Sequence, residues 1–294
     1  MITTTSRPRR SVLYVPGNNE RALDKARTLP ADALILDLED SVLPEAKEAA
    51  REQVMAALRT GGFGRREIVV RVNGSDTPWG AADLSAAARS GAHAVLVPKA
   101  GVRGDLAHAD EALERAGAPA EQQLWAMIET PRAILNIGKI AAESEGGRLS
   151  CFVLGTNDLA KATRARLGAG RAAMQAWLSL TVAAARAHAI DVIDGVFNGL
   201  KDAAGFKAEC EQGRDLGMDG KTLIHPGQIE VANQVFAPDP EEVAFARKVL
   251  AAFAQPENKG RGVLVVDGKM VERLHAEMAE RTVALADAIA HLKA

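Results

Sequence analysis

Short apolar runs in this sequence end, one after another, in a charged residue. ALILDLED delivers Asp37, Glu39 and Asp40, VVRVNG carries Arg71, VPKA ends at Lys99, and LWAMIETP ends at Glu129. CFVLGTNDLA leads to Asp158, DVIDGV holds Asp194, and LIHPG ends at His225. Two carboxylates from adjacent strands can each lend an oxygen to a hard divalent cation. Mg²⁺ typically takes one or two carboxylates and leaves its other positions to water and substrate oxygens. Glu129 and Asp158 fit that pattern as a pair. Singly, each has a plainer explanation: Glu129 could pair with Arg132 or precede a helix at Pro131, and Asp158 could cap a helix over LAKATRARL. Arg71 has apolar neighbours, where an unpaired guanidinium is costly. It pairs with the DLED acids, forks onto a substrate carboxylate or developing oxyanion, or does both. Lys99 could simply reach solvent, and His225 before Pro226 could fix a loop. Glu39, Asp40 and Asp194 could serve as ion-pair partners.

Nucleophilic hydrolysis and zinc catalysis have no support, because the chain lacks a GxSxG elbow, an HExxH motif and a Cys–His pair at a strand end. A cation and an Arg without a covalent nucleophile suit enolate chemistry, in which both hold negative charge on oxygen while a C–C bond breaks or forms.

Groups at one rim require strands that all point the same way. The runs SVLYV (11–15), ALILD (33–37), EIVVRV (67–72), AVLVP (94–98), LWAMIE (124–129), CFVLG (151–155), DVIDGV (191–196) and GKTLI (220–224) are spaced by Ala-rich amphipathic stretches such as EAKEAAREQVMAALRT. Near-continuous Val, Ile and Leu is the mark of strands covered on both faces. Strand–helix alternation repeated eight times predicts an α/β fold, a (β/α)8 TIM barrel over residues 1–235. An open doubly wound sheet is the alternative, but no GxGxxG turn supports it. Residues 236–294 form a C-terminal extension, a candidate lid or subunit contact. It reads as a helix over APDPEEVAFARKVLAAFAQ, a turn at PENKGRG, a short strand with an Asp-Gly turn in VLVVDGK, and a last helix from MVERLH onward.

The bulk composition excludes several classes. With 47% apolar and 25% charged residues and a net charge of −2, nothing points to nucleic acid or an anionic membrane as partner. No apolar run reaches the ~18 residues a bilayer span needs, and MITTTSRPRR lacks the apolar stretch of a secretory signal. Two cysteines, Cys151 and Cys210, make neither a disulfide framework nor a zinc site, so a cytoplasmic setting is expected.

In order and spacing, RSVLYVPGNN, ALILDLEDSV, VVRVNG, VPKA, AMIETPRAI, GTNDLA, DGVF, DGKTLIHPGQIEVAN, DPEEVAFARKVL and VDGKMVERLH cover almost the whole chain. Together they resemble the citrate lyase β-subunit-like branch of the HpcH/HpaI aldolase family, which includes malyl-CoA and citramalyl-CoA lyases. The resemblance implies a Mg²⁺-dependent C–C lyase that splits a 3-hydroxyacyl-CoA into acetyl-CoA and a 2-oxo acid. It implies Glu129 and Asp158 as metal ligands and Arg71 as the group on the reacting oxygens. Asp37, Arg71, Glu129, Arg21 and Lys25 make up the implied substrate-binding set, the last two meeting CoA phosphates at the first strand–helix junction. Asp267, an ordinary turn residue by its Asp-Gly pattern, becomes by resemblance an acid–base group supplied by a neighbouring subunit. That implies a homo-oligomer, a trimer or a pair of trimers. Asn157 stands where relatives often carry Glu or Ala, which puts the tuning of the metal in question. Rival readings are a citrate lyase β-subunit serving an acyl carrier protein, a CoA-independent 2-oxo acid aldolase, and a non-catalytic paralogue.

Overall fold

The computed structural model describes residues 7–293. The stretch MITTTS, part of the segment judged to lack a secretory signal, lies outside the described residues. Among the described residues, eight parallel strands close into a barrel in chain order: β1 (Ser11–Pro16), β2 (Ala33–Asp37), β3 (Glu67–Arg71), β4 (Ala94–Val97), β5 (Gln123–Ile128), β6 (Leu149–Leu154), β7 (Asp191–Asp194) and β8 (Gly220–Leu223). Helices α1 (Glu20–Ala26), α2 (Lys47–Thr60), α3 (Gly80–Ala88), α4 (Arg103–Arg115), α5 (Pro131–Ala141), α6 (Thr156–Thr163), α7 (Gln175–Ala187), α8 (Ala203–Asp215) and α9 (Ile229–Val235) carry the chain between and after the strands. This is the expected (β/α)8 barrel. No helix among the described residues is long and apolar enough to cross a membrane.

A period of two decides which side chains enter the barrel. Val12, Ala33, Ile35, Val69, Leu96, Trp125, Met127, Cys151, Val153 and Ile193 form one buried cluster inside. Their neighbours Leu13, Leu34, Leu36, Val70, Val95, Ala126, Ile128, Phe152, Leu154 and Val192 belong to a larger cluster shared with the helices. Runs apolar at every position are therefore what a wall covered on both sides demands. At the amino-terminal end the interior is closed by an ionic plug. Arg9 holds both Glu67 oxygens at 2.7 Å and Asp191 at 2.8 Å, with its guanidinium 4.7 Å from the Trp125 ring centroid.

The segment from Ala237 onward is a separate compact unit. It holds α10 (Pro240–Ala254), the hairpin β9 (Val263–Val266) and β10 (Lys269–Glu272), and α11 (Arg273–Lys293), around Ala246, Val249, Leu264, Val266, Val271, Ala276 and Ala279. Asp239 caps α10 by accepting the Glu241 N–H, and Pro240 starts the helix without a lost donor. The last helix begins at Arg273, later than the sequence suggested, because Lys269–Glu272 pairs back onto β9. The cause is the Asp267-Gly268 turn. Both residues have positive φ, 49° and 77°, as a two-residue hairpin connection of type I′ requires.

Candidate active site

The same period of two puts Asp37, Arg71 and Glu129 on the interior side at the carboxy-terminal ends of β2, β3 and β5. Asp37 and Arg71 are register partners on adjacent strands. Arg71 forks onto Asp37 through Nε and Nη2, each at 2.7 Å, and its Nη1 lies 2.9 Å from Glu39 and 3.3 Å from Asp40. Asp37 also accepts the backbone N–H groups of Glu39 and Ser41. Burial pushes the Asp37 carboxyl up, but the Arg71 guanidinium and these hydrogen bonds outweigh it and hold it below the ordinary value. Asp37, expected among the substrate-binding residues, is paired with Arg71. At 1% exposure, with both oxygens engaged, it fixes the guanidinium plane from below and acts through Arg71.

Glu129 follows β5. Its Oε1 accepts the Lys99 N–H at 2.7 Å, while its Oε2 is buried without a hydrogen-bond partner. Lys99 reaches this position in a left-handed conformation, φ 52°, which costs a non-glycine residue and is held by its surroundings. Its Nζ meets Glu39 at 3.1 Å. Burial first, then repulsion from Glu39 and Asp158, pushes the Glu129 carboxyl up to about 7 against the pull of the Lys99 N–H and Arg71. Glu39 is likewise pushed up by burial and by Asp40, with Arg71 and Lys99 opposing. Glu129 does precede a helix at Pro131, whose cap is Thr130, and among the described residues its oxygens do not go to Arg132. Asp158 is not a cap either. It lies half-buried in the first turn of α6, where the N-terminal end of the helix dipole favours a negative charge.

These side chains fit a divalent cation. Asp37, Glu39, Asp40 and Glu129 group around Arg71, Lys99 and Lys47, and Asp158 is near enough to Glu129 to repel its charge. The unpartnered Glu129 Oε2 and the Asp158 carboxylate could together hold Mg²⁺. Among the described residues no cluster of three or more His, Cys, Asp or Glu side chains could hold a metal, so a full protein cage is absent. Gly155 makes room for Glu129: a Cβ there would lie 2.4 Å from Glu129 Cβ and 2.6 Å from its Oε2. Gly155→Ala is expected to displace Glu129 and weaken Mg²⁺ binding at least tenfold while the far-ultraviolet circular dichroism stays that of a barrel. Calorimetric titration checks this, and unchanged affinity would mean that Glu129 is not a ligand.

The other expected residues have contacts of their own. Arg21 and Lys25 are exposed, one turn apart on α1, whose first turn is capped by Asn19. Asp194 turns to the outer side of the wall, bound to Arg171 at 2.7 Å and Lys221 at 3.0 Å. His225 accepts the Gly227 N–H and fixes its loop. Asn157 does not tune Asp158 by a hydrogen bond; it exchanges bonds with Asn198, on the wall of a cavity of about 400 Å³. Asp267 belongs to the carboxy-terminal unit, where it pairs with Lys248 at 2.6 Å. Sequence reasoning passed over Tyr14, an interior residue whose parity with Val12 on β1 could have revealed it.

Comparison with known proteins bears on what this rim is for. The pattern of the HpcH/HpaI aldolase/citrate lyase family matches residues 10–226. The chain belongs to that family. It is 52% identical over 287 residues, 98% of each chain, to a Cereibacter sphaeroides protein named (3S)-malyl-CoA thioesterase. It is 35% identical over 288 residues, 96% of this chain and 94% of the other, to the citrate lyase subunit beta of Leuconostoc mesenteroides subsp. cremoris. Its fold is similar, at a TM-score of 0.74 and 27% identity over 97% of this chain and 100% of the other, to CitE of Mycobacterium tuberculosis crystallised with magnesium, acetoacetate and coenzyme A. The HpcH/HpaI barrel in this chain thus carries its unpartnered carboxylate oxygen at the rim where barrel enzymes place their chemistry.

Proposed function

We propose that the chain is a Mg²⁺-dependent enzyme acting on a 3-hydroxyacyl-CoA of the malyl-CoA type, and that it hydrolyses the thioester to malate and CoA. The observation that carries the reading is the unpartnered Glu129 Oε2 beside Asp158, with Arg71 held facing the same cluster by Asp37. Glu129 and Asp158 hold the cation. Bound there, Mg²⁺ supplies charge neutralisation and Lewis-acid polarisation at the hydroxy-acid end of the substrate. Arg71, preset by its fork to Asp37, donates to the substrate carboxylate and keeps that end oriented. Water adds to the thioester carbon, the C–S bond breaks, and the sulfur leaves as the CoA thiol after taking up a proton. Exposed Arg21 and Lys25 are assigned to the CoA phosphates. The relative named (3S)-malyl-CoA thioesterase, similar over 98% of this chain, favours hydrolysis.

The second reading is C–C cleavage of the same ester to glyoxylate and acetyl-CoA, favoured by the relative named citrate lyase subunit beta and by the Asp267-Gly268 turn. In that case Asp267 of a neighbouring copy returns the proton to the acetyl-CoA enolate, which requires a homotrimer or a pair of trimers. The carboxy-terminal unit then serves as lid and subunit contact, and an acyl carrier protein could replace CoA. Mass spectrometry of products from (3S)-malyl-CoA in H₂¹⁸O, with Mg²⁺ and with chelator, decides between them. Metal-dependent release of malate carrying one ¹⁸O in a carboxylate, with free CoA, is the expected result. Acetyl-CoA and glyoxylate, with no labelled malate and no free CoA, would establish the second reading.

A further inference from the structure

Tyr14 is the only tyrosine in the chain. It sits in β1 on the interior side, half-buried, with the Arg71 guanidinium 4.8 Å from its ring centroid. The ring alone would satisfy that packing, and phenylalanine would supply it. The hydroxyl is the unexplained part. Its one hydrogen bond among the described residues is to the Met127 thioether sulfur at 3.9 Å, a weak acceptor at long range. Burial first, then Asp37, Glu129 and Glu39, raise the phenol against the pull of Arg71, so the group stays protonated and has a proton to donate. Yet the acids do not accept from it. The oxygens of Asp37 are taken by Arg71 and two backbone amides, Glu39 pairs with Arg71 and Lys99, and Glu129 Oε1 holds the Lys99 N–H. A half-buried donor beside a cation site, without an oxygen or nitrogen acceptor of its own, is built for an acceptor that arrives from outside.

We propose that the Tyr14 hydroxyl is a substrate-contacting donor that binds a carboxylate oxygen at the hydroxy-acid end of the ester, beside Arg71. The inference rests on the reading of the site as one for malyl-CoA-type esters. Arg71 supplies charge and Tyr14, its ring 4.8 Å from that guanidinium, supplies a neutral donor beside it. A site built to hydrogen-bond a substrate oxygen discriminates strongly against analogues that lack it. Tyr14 would then select for an oxygen acceptor next to the hydroxyl-bearing carbon over analogues that carry none in that place.

The test is calorimetric titration of L-malate, the acid half of the substrate, into the full-length protein saturated with Mg²⁺, comparing the unaltered chain with Tyr14→Phe. The expected result is a Kd for L-malate raised at least tenfold in the variant, with the Kd for Mg²⁺ alone changed less than twofold. Equal L-malate affinity in the two proteins would overturn the proposal. Because the tyrosine is unique, 3-fluorotyrosine labels this one position and gives a second measurement that does not depend on the variant folding. Its ¹⁹F resonance should shift when L-malate joins the Mg²⁺-loaded protein, and an unmoved resonance with L-malate bound would overturn the assignment. If the unaltered protein binds Mg²⁺ but no L-malate, the reading of the site itself fails and the Tyr14 assignment falls with it.

Discussion

Glu129→Gln is expected to make the metal-free protein more stable while removing its response to Mg²⁺. The folded carboxyl holds its proton up to about 7, against an ordinary value of 4.5. Between those values the folded state binds more protons than the unfolded chain, so stability falls as pH rises through that window, and the full cost is present above about pH 7. The gap corresponds to about 3 kcal/mol. Glu129 is 1% exposed, so solvent screening does little to reduce it. Gln keeps an amide oxygen to accept the Lys99 N–H and removes the charge. At pH 8 in chelator, urea unfolding should show the variant more stable by up to about 3 kcal/mol. Adding Mg²⁺ should stabilise the unaltered protein and leave the variant where it was. A variant that is no more stable in chelator, or that still gains from Mg²⁺, would remove Glu129 from the cation site.

The second large effect is at Arg71. Met there keeps some packing over Tyr14 but strands Asp37, whose oxygens lose both charged bonds in a buried setting. Breaking a buried pair from one side costs about 3–5 kcal/mol, because the remaining charge has no partner. Arg71→Met should therefore both destabilise the fold by about that amount and abolish turnover. Adding Asp37→Asn to it separates the two roles. The double variant should recover much of the lost stability, since an amide is cheaper to bury than a bare carboxylate, while turnover stays absent. Urea midpoints and turnover of malyl-CoA on the same preparations check this. Recovery of turnover in the double variant would show that Arg71 is a structural partner of Asp37 and nothing more.

The barrel was legible because strands buried on both faces leave a continuous apolar signature, and each expected run overlaps an observed strand. Glu129 and Asp158 were legible as acids at the exits of such runs. What the sequence concealed depends on contacts between distant segments. Nothing local marks Lys99 for a left-handed backbone; that conformation is imposed by the carboxylates that receive its N–H and Nζ. Asp194 looked like a rim acid, but the strand's period of two turns it outward to Arg171 and Lys221, which are 23 and 27 residues away. Met270–Glu272 carry a pattern that continues smoothly into α11 and so predicts helix. The two positive-φ residues before it instead fold those positions back as a strand, with Met270 exposed and Val271 buried. Tyr14 was hidden in plain view within an apolar run, where a hydroxyl counts for little until its surroundings are known.

Glu129 and Asp158 are proposed to form a single cation site together. Calorimetric titration of Mg²⁺ into chelator-stripped protein, alongside Glu129→Gln and Asp158→Asn, tests it most directly. One site per chain in the unaltered protein, lost or weakened at least a hundredfold in both variants, is the result the account requires. Binding that survives in either variant, or no binding in the unaltered protein, would contradict it.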